Sequence, residues 1–485
     1  MRRRRFLKIV GAGALSLSGD VIAGETTKKN GLPNIVFIMT DNHAPWTLGC
    51  YGNPEIRTPN IDRLAREGML FTRSFSSNAV CSPTRATFLT GLIPSQHGVH
   101  CYLRANEAQI GPDAYNTIEE FESLPEVLAS VGYTCGLTGK WHLGGNLTPQ
   151  DGFSYWVTKP HGHTSTFYDA QVIEDGRIRK EPSYLTDFWT NHATRFIERN
   201  QDRPFFLFLA YNGPYGLGQS LGNKARNRHA AYYADKELHS FPRETIHPWL
   251  HSNRQYVNDP TAIRRYAAEI SGVDDGVGRI LGLLDRLGLR DDTLVVFTAD
   301  QGLCGGHHGM WGMGDHSRPL HTYDETCHVP LIFRHPARIA AGTRSDLMVS
   351  NYDLMPSLLS YLGLGHRIPR VPERPGRDYS PILQGRDLEW DNAIFYEFEN
   401  SRMIRTPQWK YTRRVPDGPD ELYDLHDDPG ERTNLVEQSQ HVGIRSRLAA
   451  RLTAFFARYA DPKYDLWRRG RSKPRLLTSN QHQLR

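Results

Sequence analysis

Two short apolar runs, each stopping at an aspartate, constrain this chain more than any other feature. Residues 34–40, NIVFIMT, end at Asp41, and residues 293–299, TLVVFTA, end at Asp300. Runs of this length without polar alternation fit strands buried on both faces, with polar residues collected at their carboxyl ends. Further runs at 133–137, 204–210 and 330–334 are separated by helix-period stretches at 60–67, 85–91, 187–199 and 262–288. Such alternation predicts an α/β fold with a large, mainly parallel sheet covered on both faces. Sites in these sheets gather beyond the carboxyl ends of the strands. Asp41 and Asp300 both fall there, although about 260 residues separate them. Residues 364–385, rich in Pro, Arg and Gly, read as a connection. Beyond it, 394–398, 409–413 and 421–425 predict a small antiparallel sheet, and 442–459 a helix.

The chain's 485 residues, 39% hydrophobic and 23% charged, suffice for about two to four domain-sized units. A mean hydropathy of −0.54, with no apolar run of 18 residues, excludes a polytopic membrane protein. The net charge of +5 is mostly local. Arg2, Arg3, Arg4, Arg5 and Lys8 crowd the first eight residues, and the remainder is close to neutral, so nucleic acid is not an expected partner. That basic stretch, the mild apolar segment IVGAGALSLSG and Val21-Ile22-Ala23 before Gly24 predict an export leader over residues 1–23. Arg3-Arg4-Arg5-Phe6-Leu7-Lys8 looks like a twin-arginine signal, so a periplasmic or secreted protein without a stable membrane anchor is expected. Six cysteines (Cys50, Cys81, Cys101, Cys135, Cys304 and Cys327) are too few for a disulfide scaffold, and no two form CxxC.

One of those cysteines has a distinctive setting. Residues 81–91 read CSPTRATFLTG, and Pro83 at the start of a helical run puts Cys81 near a helix N-terminus. Unpaired N–H groups there favour an anion, and Arg85 lies one turn further along the same face. On the residues alone this is an activated thiolate beside a guanidinium, or else a buried cysteine next to a turn.

Cys81-Ser82-Pro83-Thr84-Arg85, with Thr90-Gly91 following, resembles the Cys-x-Pro-Ser/Thr-Arg motif of the type I, formylglycine-dependent sulfatases. The resemblance continues through Asp41, through Gly139-Lys140-Trp141-His142-Leu143-Gly144, and through Asp300-Gln301-Gly302. It extends to Glu421-Leu422-Tyr423-Asp424-Leu425 with Asp428-Pro429, Glu431 and Asn434-Leu435. It implies an alkaline phosphatase-like sandwich: a catalytic domain over residues 31–365 and a smaller C-terminal α+β subdomain over 380–485. It implies Cα-formylglycine made from Cys81 by a maturation enzyme, and one Ca²⁺ held by Asp41, Asn42, Asp300 and Gln301. The family more often carries Asp at the second of these positions and Asn or His at the fourth, so this site has two carboxylates rather than three. Arg85 and Lys140 then hold the nucleophile and sulfate oxygens, and His142 is the base that helps expel sulfate.

Two departures bear on the leaving group. Tyr215 stands where the family often has a histidine acid, and Met313 where it often has a sulfate-binding lysine. Tyr215 is therefore a candidate substrate-binding donor, with His316, His161 and His163 as alternatives; His308 matches a motif histidine, and Arg318 is a candidate replacement for the lysine charge. The segment 211–262, with Tyr211, Tyr215, Tyr232, Tyr233, His229, His239 and Trp249, suits an extended polar substrate or ordinary loop packing. Hydrolysis of carbohydrate sulfate esters is the expected activity. The other readings are a phosphonate monoesterase or phosphodiesterase of the same superfold and a non-catalytic binder of sulfated glycans.

Overall fold

The computed structural model describes residues 31–222 and 226–478; the expected leader at 1–23 lies outside them. Ten strands make the large sheet: β1 (Asn34–Asp41), β2 (Met69–Phe75), β3 (Thr134–Gly139), β4 (Phe153–Thr158), β5 (Ala170–Glu174), β6 (Arg177–Glu181), β7 (Phe205–Pro214), β8 (Thr293–Ala299), β9 (Leu331–Arg334) and β10 (Thr343–Ser350). Their order is β10-β2-β9-β8-β1-β7-β3-β4-β5-β6. The central run β8-β1-β7-β3-β4 is parallel throughout. The expected strand at 330–334 enters as β9, antiparallel to both neighbours.

The central strands are buried along their whole length, and their period-two alternation divides the core. Val36 and Ile38 of β1, with Leu207, Leu209, Val295 and Phe297, pack on one face with residues of the helices Leu185–Asn200 and Pro260–Arg286. Ile35, Phe37 and Met39, with Phe206, Phe208, Leu294 and Val296, pack on the other with residues of Cys81–Thr90, Leu124–Ser130 and Leu354–Tyr361. Each large apolar side chain sealed in this way contributes roughly 1.5–3 kcal/mol. The helix Pro260–Arg286 starts where its signals put it: Pro260 opens it, and the Asp259 carboxylate accepts from the N–H groups of Thr261 (3.0 Å) and Ala262 (3.2 Å).

The smaller sheet is antiparallel, β11 (Ile394–Phe398), β12 (Ser401–Arg405), β13 (Trp409–Arg414) and β14 (Glu421–Asp424) in sequential order. The helix Val442–Tyr459 lays Leu448, Leu452 and Phe456, at i, i+4 and i+8, against Ile404, Tyr411 and Leu422. All six cysteines are free.

Glu269, inside the helix Pro260–Arg286, is buried and accepts a hydrogen bond from the Tyr184 hydroxyl. Burial pushes its carboxyl up to about 8, against the opposing effect of that hydrogen bond and of Asn227. The folded state thus keeps a proton that the unfolded chain releases near pH 4.5, and stability falls as pH rises from there through about 8. Replacement by Gln keeps an acceptor for Tyr184 and removes the ionisation. E269Q is expected to unfold at a higher temperature than the wild type above pH 8, by on the order of 1 kcal/mol, and the two melting curves should converge below pH 5. Parallel Tm–pH profiles of wild type and E269Q would contradict this assignment.

Candidate active site

Register brings the two aspartates together. Thr40 pairs with Ala299 across β1 and β8, so Asp41 and Asp300 leave adjacent strand ends. Gly139 pairs with Ala210 across β3 and β7, which delivers Lys140 to the same edge. Gly139 has φ +116°, and a Cβ there would lie 1.9 Å from the Ala210 carbonyl oxygen. Only glycine lets the chain turn so tightly that the Lys140 N–H donates to that carbonyl at 2.8 Å. Above the edge, Cys81 is the first residue of the helix Cys81–Thr90, after an extended Val80, and Arg85 follows one turn on.

These side chains form a closed charge network. Arg85 is fully buried; its Nε and one Nη donate to a single oxygen of Asp300 at 3.1 and 2.8 Å, and its other Nη donates to the Lys140 carbonyl at 2.6 Å. Lys140 Nζ donates to Asp41 Oδ2 at 2.5 Å. The Cys81 sulfur lies 3.5 Å from Asp41 Oδ1 and 3.1 Å from Gln301 Nε2. Burial, and then the Asp41 carboxylate, push the Cys81 thiol far up. Of the two readings of the unmodified residue, complete burial and the two nearby carboxylates favour the buried cysteine over the activated thiolate, against the pull of Lys140 and Arg85. Burial and Asp41 also raise Asp300, to about 6, against the pull of Arg85 and Lys140.

Asp41, Asn42, Asp300 and Gln301 converge as an oxygen-rich cluster. Gln301 Nε2 lies among acceptors, 2.5 Å from Asn42 Oδ1 and 3.5 Å from Asp41 Oδ1, while its own Oε1 is buried without a hydrogen-bond partner. An amide's N and O exchange on a half-turn. That turn puts Oε1 beside the Asp41 and Asn42 oxygens, a donor set of carboxylates and amides suited to a hard divalent cation. Asn42 takes the left-handed conformation, at φ 58°, and its Nδ2 donates to the Tyr215 carbonyl at 2.8 Å.

His142 is held by Nε2 against the Leu103 carbonyl at 2.8 Å, and its Nδ1 is buried without a partner. A carbonyl only accepts, so Nε2 carries the hydrogen and Nδ1 of the neutral ring is a free base. Burial, then Lys140, hold this histidine well below its ordinary value. Gly162 lies against the ring, where a Cβ would come within 2.0 Å of it. Cys81, Lys140, His142, Tyr215, His163 and His316 line one cleft of about 450 Å³, and His161 and Met313 join them there.

Other candidates lie elsewhere. His308 does not line the cleft; its Nε2 pairs with Glu325 at 3.0 Å and its ring stacks on Tyr323. Arg318 is also absent from the lining, its guanidinium held by the carbonyls of Asp315 and Ser317 at 2.7 Å each. From 211–262 the cleft takes Tyr215, Leu217, Gly218, Ser252 and Asn253. Tyr211 and Tyr233 instead turn into the core, bonded to Thr190 and Ser271. Tyr102, Arg104, Gln109 and Asp315 line the cleft without having been singled out in the sequence. Tyr102, Arg104 and Gln109 sit on loops and Asp315 in the short 3-10 turn Gly314–His316, with no periodic or motif signal.

A Sulfatase family model matches residues 33–364, and an N-sulphoglucosamine sulphohydrolase C-terminal model matches residues 309–458. The chain is 27% identical to an N-acetylglucosamine-6-O-sulfatase of Bacteroides thetaiotaomicron, over 90% of this chain and 88% of that one. It is 33% identical to an N-acetylgalactosamine-6-sulfatase of Rattus norvegicus, over 77% and 70%. A solved protein, BT4656 in complex with its substrate D-glucosamine-2-N,6-O-disulfate, shares the fold, with a TM-score of 0.69 at 24% identity over 88% of this chain and 98% of that one.

The oxygen cluster is expected to bind a divalent cation in the folded state only. Metal at about 100 times its Kd then adds about 2.7 kcal/mol of stability, read as a rise in Tm. Asp300→Asn is expected to lose most of that rise. A D300N protein with the full metal response would remove Asp300 from the ligand set.

Proposed function

The chain belongs to the sulfatase family, and from that premise we infer a sulfuric ester hydrolase that acts on carbohydrate sulfate esters. One observation carries the site-level reading: Asp41, Asp300, Arg85 and Lys140, from four separate segments, close around Cys81 in a buried cluster. The named relatives, which are sulfatases of N-acetylated amino sugars, support the carbohydrate class.

Asp41, Asn42, Asp300 and Gln301 would hold the metal. Ca²⁺ suits their mixed carboxylate and amide oxygens better than Mg²⁺, which demands near-ideal octahedral geometry. When bound, the ion supplies Lewis-acid polarisation of the ester's sulfate oxygens. Oxidation of Cys81 to Cα-formylglycine by a maturation enzyme would give an aldehyde, and addition of one water to that aldehyde would supply the nucleophilic hydroxyl at residue 81. Arg85, fixed by Asp300 and the Lys140 carbonyl, holds its guanidinium rigidly beside residue 81. Lys140 places its ammonium over the same cluster, where fixed positive charge stabilises the charge gathering on the transferring SO₃ group. His142 Nδ1, bare and desolvated, accepts a proton when sulfate is released.

We also propose export: the arginine-rich start and small-residue cleavage site match a leader, and among the described residues no helix is long and apolar enough to cross a membrane. Twin-arginine export of a folded protein requires Cys81, now buried, to be modified before folding is complete.

The matured protein is expected to release sulfate from sulfated amino sugars with a kcat/KM at least tenfold above that for matched phosphonate esters. Phosphonate turnover exceeding sulfate turnover would move the assignment to a phosphonate monoesterase. In a host that oxidises only cysteine, C81S should lose on the order of 10³-fold or more in kcat, the scale of losing a nucleophile. Persistent turnover by C81S, read beside the mass of the peptide containing residue 81, would overturn the nucleophile assignment.

A further inference from the structure

At the two positions where the family often carries a histidine and a lysine, the side chains are Tyr215 and Met313. Met313 is a thioether whose sulfur lies 3.5 Å from Gln301 Nε2, with no proton to give. Tyr215 is nearly fully buried and sits in the left-handed region at φ 57°, a conformation that costs a bulky residue on the order of 1–3 kcal/mol. Its main chain is fastened on both sides to the proposed metal ligands: its N–H donates to the Asp41 carbonyl at 2.9 Å and its carbonyl accepts from Asn42 Nδ2 at 2.8 Å. Its ring lies 5.5 Å from Lys140 Nζ. The phenol is thus aimed into the cleft beside the groups that would hold the sulfate.

The hydroxyl meets His163 Nδ1 at 2.7 Å, with the two rings edge to face. His163 is itself exposed, on a loop that is firmly anchored. The buried Lys159 donates from Nζ to the His163 carbonyl at 3.0 Å and to Thr164 Oγ1 at 3.2 Å, and Asn212 Nδ2 donates to the same Oγ1 at 2.9 Å. The other cleft histidines lack this connection. His316 Nδ1 accepts from the Met313 N–H at 3.3 Å, with Asp315 Oδ1 2.7 Å away. The Nδ1 of His161 is buried without a partner.

We propose that Tyr215 and His163 form a proton relay that protonates the leaving oxygen of the sulfate ester. The proposal rests on the sulfatase reading above. As sulfur bonds to the attacking oxygen, its bond to the bridging oxygen breaks and that electron pair stays on the bridging oxygen. Tyr215 Oη gives its proton to the bridging oxygen and takes the Nδ1 proton of a protonated His163 in the same step. The phenol ends neutral, the imidazole ends neutral, and the alcohol departs uncharged. Solvent reprotonates His163. Although the residue as a whole is exposed, partial burial of the His163 ring, then Lys140 and Lys159, lower its value, and Asp41 and Asp315 oppose them; His142 and Tyr215 are its other titratable neighbours. The protonated relay is therefore the acidic form, and its contribution fades as pH rises through the His163 titration.

The test compares an alkyl ester, a sugar sulfate, with an aryl ester, 4-nitrophenyl sulfate, whose leaving group needs no proton. Y215F and H163Q are each expected to lose about 100-fold or more in kcat/KM on the sugar sulfate and less than about tenfold on the aryl sulfate. Y215F/H163Q should be no worse than either single variant, because the two groups act as one. H163Q should also lose the basic limb of the wild-type kcat–pH profile on the sugar sulfate. H163Q alters an exposed side chain, and an unchanged Tm confirms its fold. Equal losses on the two esters, or no loss on either, overturn the relay. A wild type inert to both esters overturns the sulfatase reading beneath it, and the relay with it.

Discussion

Two carboxylates buried at neighbouring strand ends are the constraint on which the rest of the site depends. Asp41 and Asp300 are both fully removed from solvent, and like charges in a medium of low polarity repel strongly. The fold answers with two cations that are equally buried. Arg85 spends its fork on Asp300 and the Lys140 carbonyl, and Lys140 spends its ammonium on Asp41. The four charges cancel formally, which lets the cluster exist inside a protein. The divalent cation proposed for this cluster would turn that balance into a surplus of two positive charges, the kind that retains a sulfate ester. Removing any one member leaves an uncompensated charge, so structure and chemistry here are enforced by the same electrostatics.

Backbone geometry concentrates at the same place. Asn42, His142 and Tyr215 all adopt positive φ without being glycine, and all three contribute to the cluster or the cleft. Residues held in this region persist only where their surroundings over-determine them. Here the surroundings are visible: Asn42 and Tyr215 are bonded to each other, Tyr215 is tied to β1, and His142 is clamped between Leu103 and Gly162. The loop 159–164 adds a further layer. Lys159 has only neutral acceptors, and burial, then the nearby Lys140, lower it to about 7. Its Nζ fastens the loop that carries His161 and His163 by donating to a carbonyl and a hydroxyl.

Legibility in the sequence followed the nature of the signal. The strands Asn34–Asp41 and Thr293–Ala299 were readable because continuous apolar runs mark strands buried on both faces, and the helix Val442–Tyr459 because its apolar residues recur at helical spacing. The two edge strands, β6 and β10, were not, because Arg177–Glu181 and Thr343–Ser350 mix charges and apolar residues without a clean period. Cys81, Arg85, Lys140 and His142 stood out as motifs. Lys159, Tyr102, Arg104 and Asp315 did not, since nothing local distinguishes them from loop residues. Tyr211 and Tyr233 looked equally suited to a sugar face and to ordinary loop packing; both are fully buried in the core, hydrogen-bonded to Thr190 and Ser271.

The sequence by itself determined the chemistry of the parts: which strands end in carboxylates, which cysteine opens a helix, and where a histidine and a lysine are replaced by Tyr215 and Met313. Those are local properties, written in residue type and short spacing. Tertiary structure alone decided that Asp41 and Asp300 stand side by side, that Cys81 is buried beside Asp41, that His308 serves a Glu325 pair instead of the cleft, and that Tyr215 finds His163. Each of these depends on strand register, burial and contacts between segments tens to hundreds of residues apart, and electrostatics in a buried site responds to those distances and to the local dielectric rather than to proximity along the chain.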